Sequence, residues 1–170
     1  MPQSERTLIL LKPEALERGW CGEILRRFER AGLRIRDARR VRLTLPRLKR
    51  HYAELRVKHP RAYDRTVRSL IGRDGLALVL SGANAIAKAR ALVGPTDPTT
   101  APPGTIRGDL SSDSIALADA EDRGTLNLIH AADSARSARN EIRVWFRGVM
   151  LSELRGGSER RSPTRRVAQA

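Results

Sequence analysis

The most constraining feature of this chain is a short run near its start, Thr7-Leu8-Ile9-Leu10-Leu11, followed directly by Lys12-Pro13. A strand that is apolar on successive residues has to be covered on both faces, so it belongs at the centre of a sheet. Leu76–Leu80 makes a second buried strand of the same kind. Between them, Leu33 to Leu45 alternates Leu33, Ile35, Val41, Leu43 and Leu45 against arginines, the period-2 pattern of a half-buried strand. Leu126–Ile129 reads as the last strand. Helical spacing falls in the gaps. Glu23–Ala31 places Ile24, Leu25 and Phe28 on one face and stops at Gly32. Pro46 opens a helix to about Leu55, and Pro60–Ile71 and Asn84–Val93 follow. Ser134–Phe146, with Asp133 and Ser134 as N-caps, turns Ala135, Ala138, Ile142 and Trp145 to one side. The heart of this order is β-α-β-β-α-β, which predicts an α+β, ferredoxin-like fold with a four-stranded antiparallel sheet and helices packed on it.

The chain has 170 residues, enough for one domain and a tail. The domain is expected over 1–147. The stretch 148–170 is polar, basic and aperiodic, the composition of a disordered tail. Aromatics are 4%, so aliphatic side chains must fill the core. The lone Cys21 excludes an internal disulfide framework and a multi-cysteine zinc site. No run approaches the length of a membrane helix, and a cytoplasmic protein without membrane partners is expected. The net charge is +14, and Arg18–Arg73 holds 18 basic against five acidic residues. Such a surface suits nucleic acid, steers small polyanions such as nucleotides, or reflects a coding preference for arginine on solvated faces. Charge alone specifies no reaction.

Neither a P-loop nor a dinucleotide-binding glycine fingerprint is present. Three other stretches carry chemistry. Lys12-Pro13-Glu14-Ala15 puts a lysine at a strand end, where it is either a surface residue or a point charge for phosphate. Gly104-Thr105-Ile106-Arg107-Gly108-Asp109 brackets an arginine with glycines, which let backbone approach a ligand. Arg90 and Thr96 lie upstream as further donors. Asn127-Leu128-Ile129-His130 ends an apolar strand in a histidine, more often structural than nucleophilic. Glu141 follows eleven residues later, and a carboxylate on one ring nitrogen leaves the other nitrogen as a nucleophile.

In order, the strings ERTLILLKPEAL, HYAEL, a G-x-T-x-P loop, PGTIRGD, N-x-I-H and EIRVWF resemble the nucleoside diphosphate kinase family from Glu5 to Phe146. The resemblance implies that His130 becomes phosphohistidine and that Glu141 orients its ring. It implies that Lys12, Arg90, Thr96, Arg107 and Asn127 hold phosphates and sugar, and that Tyr52 supports Lys12 and the histidine pocket. The implied reaction is ping-pong between ATP or other nucleoside triphosphates and diphosphates. Mg²⁺ would ride on the nucleotide phosphates, with no metal site of the protein's own. A homo-oligomer, hexamer or tetramer, is implied too. The alternative is a kinase-like module that binds nucleotide, or weakly binds nucleic acid through the basic surface, with little or no catalysis.

The chain departs from the family in four places. Ala131-Ala132-Asp133-Ser134 stands where Gly-Ser-Asp-Ser is usual. The hydroxyl missing at Ala132 costs roughly 0.5–1.5 kcal/mol, about threefold to tenfold in rate. Leu126 replaces an arginine, for which Arg123 is the nearest substitute. The connection Ser111–Leu126 is longer than usual, as in a branch of the family. The base-stacking phenylalanine has no clean counterpart, which leaves Tyr63, the nearest aromatic, as the expected base contact.

Overall fold

The computed structural model describes residues 5–146. The tail expected over 148–170 lies outside the described residues. Four strands form one sheet: β1 (Glu5–Leu11), β2 (Arg34–Arg42), β3 (Asp74–Gly82) and β4 (Ile129–Ala131). Their order is β2-β3-β1-β4, with every neighbouring pair antiparallel. The helices are α1 (Pro13–Glu17), α2 (Cys21–Arg30), α3 (Leu45–His51), α4 (Ala53–Lys58), α5 (Pro60–Leu70), α6 (Ala85–Val93), α7 (Ile106–Leu110), α8 (Ile115–Ala120) and α9 (Ala135–Phe146).

β1 is central, and its pleat divides the core. Leu8 and Leu10 join Val67, Ile142 and Trp145 on one face, while Ile9 and Leu11 join Ile24, Phe28 and Ile106 on the other. All four β1 side chains are fully buried, which is why the run is apolar throughout. Each fully buried side chain of this size contributes about 1.5–3 kcal/mol of transfer free energy.

Local chemistry moves several boundaries. The last strand is not Leu126–Ile129 but begins at Ile129. Leu128 has φ +67, outside the β region, and Ile129 N–H closes back on Asn127 O at 2.8 Å, so 126–128 is not strand. His130 therefore lies inside the ladder, opposite Leu10. The helix expected from Pro46 breaks at Tyr52 into α3 and α4. On α9, Ala135 is exposed, while Ala138, Ile142 and Trp145 are buried with Phe146. The 111–126 connection holds α8, capped by Ser114 Oγ accepting from Leu117 N–H at 3.0 Å.

In the GTIRGD stretch, Thr105 Oγ1 accepts from Gly108 N–H and starts α7. Gly108 is required by the chain's own packing rather than by a ligand. A Cβ there would stand 2.3 Å from Pro102 O and 2.7 Å from Ala101 O. Both neighbours are backbone and cannot swing away. Gly108→Ala should therefore lower the unfolding free energy by about 1–3 kcal/mol, the cost of overpacking. Urea denaturation of the two proteins checks this, and equal midpoints would contradict it.

Candidate active site

The turn before β4 is the keystone of the site. Glu14 on α1 is buried, and its Oε1 accepts from Leu128 N–H at 3.0 Å. Lys12 N–H donates to Leu128 O at 2.8 Å. The left-handed Leu128 is thus gripped on both sides by the segment leaving β1. Next to it, Asn127 Oδ1 accepts from Lys12 Nζ at 2.6 Å, and Asn127 Nδ2 donates to Thr96 O at 2.8 Å. The amide joins β1, β4 and the loop after α6.

Arg107 completes this frame. Its guanidinium donates to Asn127 O (3.1 Å), Gly94 O (2.9 Å), Pro95 O (2.9 Å) and Ile129 O (2.6 Å). Four of the five N–H groups an arginine offers are engaged by backbone. Arg107 is buried, and its pKa falls to about 10 through burial, with Arg90's charge adding to the shift. Arg90 is exposed and lines the cleft, and its side chain makes no hydrogen bond or ion pair among the described residues. Lys12 is buried and pulled down to about 8, mainly by desolvation.

His130 Nε2 lies 2.8 Å from Glu141 Oε2. Its side chain is 25% exposed, open to a cleft of about 550 Å³. Burial pushes His130 down to about 3, with the charges of Lys12 and Arg107 acting in the same direction. The ring is therefore neutral at neutral pH. Burial raises Glu141 to about 7, and His130 is its hydrogen-bond partner among the described residues. Ala132 is buried and brings no hydroxyl.

Two aromatic neighbours brace the imidazole. The His51 ring sits edge-to-face with His130 at 4.4 Å between centroids, and Tyr52 packs on His51 at 4.6 Å. His51 Nδ1 accepts from Trp145 Nε1–H at 3.2 Å, which puts the His51 proton on Nε2. His51, His130 and Glu141 hold donor atoms within 4.8 Å of one another, two imidazoles and one carboxylate. That set suits zinc rather than the oxygen-seeking Mg²⁺.

The structure gathers His130, Glu141, Lys12, Tyr52, Arg90, Thr96, Arg107 and Asn127 around this one cleft. It does not bring Tyr63 there. α5 turns Ala62, Arg65 and Thr66 to the cleft, while Tyr63, Val67 and Leu70 form the opposite, core-facing stripe. Arg123 does not replace the absent arginine. It binds Asp113 through two hydrogen bonds, 2.7 and 2.9 Å, inside the long connection. Glu14 and His51 were missed as site residues, although they stand inside the KPEA and HYAEL strings. Nothing in spacing alone marks a buried acceptor for the N–H of one turn.

Cations gathered about a neutral imidazole serve phosphoryl transfer, where protein mainly positions reactants and offsets negative charge. The class is a phosphotransferase. The family model for nucleoside diphosphate kinase matches residues 5–150. A nucleoside diphosphate kinase of Pyrobaculum aerophilum is 41% identical over 84% of this chain and 95% of its own. Human nucleoside diphosphate kinase 3 is 41% identical over 86% of this chain and 80% of its own. Among solved structures, a transition state mimic of the Borrelia burgdorferi nucleoside-diphosphate kinase with vanadate and ADP superposes with TM-score 0.82 at 30% identity. That likeness covers 85% of this chain and 88% of the other. The chain belongs to the nucleoside diphosphate kinase family. Its reaction is phosphate transfer between nucleotides, and nucleotides are its substrates. The fold is the expected one, and no helix of the described residues is long and apolar enough to cross a membrane.

The Glu14–Leu128 contact makes a prediction separate from chemistry. Glu14→Ala leaves a buried N–H unsatisfied and should cost about 1–3 kcal/mol of stability. Glu14→Gln keeps an accepting oxygen and should lose less than half of that. Equal losses in the two variants, measured by chemical denaturation, would contradict this role.

Proposed function

We propose that His130 carries the phosphoryl group through Nδ1. The observation that supports this is the 2.8 Å contact of Nε2 with Glu141, which leaves Nδ1 as the ring nitrogen without a partner among the described residues. With Glu141 ionised, the ring proton sits on Nε2 and the lone pair on Nδ1. That lone pair attacks the γ-phosphorus of a nucleoside triphosphate. The N–P bond forms, the bond to the bridging oxygen breaks, and the diphosphate leaves with the electron pair. Glu141 offsets the positive charge that develops on the ring. A second diphosphate then reverses the step.

Arg90 and Lys12 supply charge to the phosphates, and Thr96 offers a hydroxyl at the same mouth of the cleft. Arg107 and Asn127 act chiefly by holding the backbone frame. Tyr52 packs behind the imidazole pair. The Borrelia relative holds ADP and vanadate, a phosphoryl mimic, and this supports the same use of the cleft here. Magnesium fits as an ion borne on the nucleotide phosphates, because it takes few protein ligands and the described residues place no cluster of carboxylates in the cleft. Bound there, it would neutralise charge on the phosphate oxygens. Asp133, whose charge acts on His130, is a side chain able to take one of its waters. A cytoplasmic setting suits these substrates. A non-catalytic binding module, by contrast, has no use for a carboxylate-oriented imidazole.

Two experiments test this reading. Wild type incubated with γ-labelled ATP and Mg²⁺ should take up acid-labile label and pass it to a different diphosphate, while His130→Ala should take up none. Label on His130→Ala would overturn the assignment. The pH dependence of kcat/KM follows from the same geometry. Below about pH 7, Glu141 is protonated and donates to Nε2, which moves the ring proton to Nδ1 and removes the nucleophile. Above about pH 8, Lys12 loses its charge. The profile should be a bell with limbs near these values. A profile flat from pH 6 to 9 would contradict both roles.

Assembly is a further expectation. β2 is an edge strand carrying exposed arginines, and a homo-oligomer, hexamer or tetramer, would cover part of such a surface. Light scattering at the 18.9 kDa monomer mass would refute it. The same basic surface is the candidate site for weak nucleic-acid binding.

A further inference from the structure

The convergence of His51 on the His130–Glu141 pair is not used by phosphate transfer. His51 ends α3, His130 lies in β4 and Glu141 is on α9, so three separate elements each bring one metal-binding side chain. All three line the cleft, and their donor atoms lie within 4.8 Å of one another. Two separations define the set. His130 Nε2 to Glu141 Oε2 is 2.8 Å, and His51 Nδ1 to the same oxygen is 4.0 Å. Around zinc at its usual bond lengths, neighbouring ligand atoms of a tetrahedron stand about 3.3 Å apart. The two observed values bracket that spacing, so small side-chain movements close the set.

His51 is free to make that movement. Its Nε2 is buried without a hydrogen-bond partner among the described residues. Its Nδ1 is held by Trp145 Nε1–H at 3.2 Å, the long end of the range for an N–H donor. Glu141 Oε1 makes no hydrogen bond among the described residues and is available as a second oxygen. His130 opens to the cleft, which gives an ion its path and leaves a fourth position for water. Two imidazoles, one carboxylate and one water make a ligand set that zinc accepts. Lys12 and Arg107, whose charges already act on His130, oppose a dication there. The ion is therefore held reversibly rather than as a fixed part of the fold. The other zinc-type ligands of the chain, the exposed His59 and Cys21 on α2, stand outside the set.

We propose that His51, His130 and Glu141 form a reversible, inhibitory site for zinc or another borderline-soft divalent cation. The inhibition rests on the reading above that Nδ1 of His130 is the nucleophile. An ion on Nε2 takes the lone pair of that nitrogen. Nε2 releases its proton to water and Nδ1 takes one up, so the ring stays neutral. The lone pair that attacks phosphorus is then tied up in an N–H bond. The ion also takes the Glu141 carboxylate, which otherwise offsets charge on the ring. Magnesium does not compete for this set, because it seeks oxygen ligands.

The test uses the full chain without nucleotide. Calorimetry with zinc chloride should show one ion per chain, and Co²⁺, a coloured stand-in, should give a visible ligand-field band that zinc abolishes. His51→Phe, which keeps an aromatic ring, and Glu141→Gln should each weaken zinc by about tenfold or more. Trp145→Phe removes the competing N–H and should tighten zinc roughly three- to tenfold. His59→Ala and Cys21→Ser should leave it unchanged. Protein carrying zinc should take up about tenfold less label, or lower still, from a short pulse of γ-labelled ATP with Mg²⁺, and a zinc-selective chelator should restore uptake. No binding at micromolar zinc, full affinity in His51→Phe, no gain in Trp145→Phe, or a loss in His59→Ala or Cys21→Ser equal to that in His51→Phe would each overturn the proposal. Full labelling of protein that still holds its zinc would overturn it too, and the assignment of His130 as phosphate carrier would stand. If zinc-free wild type takes up no label, that assignment falls and the inhibition falls with it.

Discussion

The site hangs on the guanidinium of Arg107. No other side chain in the described residues reaches four backbone carbonyls at once, and those carbonyls belong to two segments that must meet: the loop after α6 and the approach to β4. Neither segment could satisfy these buried acceptors alone, and each would cost about 1–3 kcal/mol if left unpaired. The planar fork of an arginine does what a lysine cannot, because its donors point in fixed directions. Once these loops are joined, Asn127 can bridge Lys12 to Thr96, and Glu14 can hold Leu128 in its left-handed turn. His130 then enters β4 in register with Leu10, at the centre of the sheet.

This frame also sets the electrostatics. Burial is the main reason that His130 stays unprotonated, and the positive field of Lys12 and Arg107 acts in the same direction. The same field is shared with Arg90, which keeps its guanidinium for the cleft because no described residue pairs with it. Glu141 is the counterpart. Burial raises it toward neutrality, and among the described residues its carboxylate has one hydrogen-bond partner, His130.

What could be read from sequence divides along physical lines. β1 and β3 were legible because strands buried on both faces are apolar at every position. α2 and α9 were legible because a one-sided helix repeats at helical spacing. His130 and Glu141 were legible as a constellation, but neither is distinguished from a structural pair by spacing alone. The start of β4 was misplaced because Leu128 carries no local mark of a left-handed backbone. That conformation is imposed by Glu14 and Lys12 from far away in sequence. Tyr63 was misassigned because an aromatic identity says nothing of which way a helix turns it; the positions of Ala62, Arg65 and Thr66 decide that. α8 is six residues of weak periodicity held by a tertiary ion pair, Arg65 with Asp119, so its existence could not be seen before the fold.

The proposed phosphate acceptor is Nδ1 of His130, left without a partner by Glu141 on Nε2. The most direct measurement is ³¹P–¹⁵N correlation NMR on the isotopically labelled, phosphorylated protein, which reports which ring nitrogen of His130 bears the phosphorus. Coupling to Nδ1, with Nε2 retaining its proton, is the expected result. Phosphorus on Nε2 would mean that the Glu141 contact is broken during turnover and would contradict transfer through Nδ1.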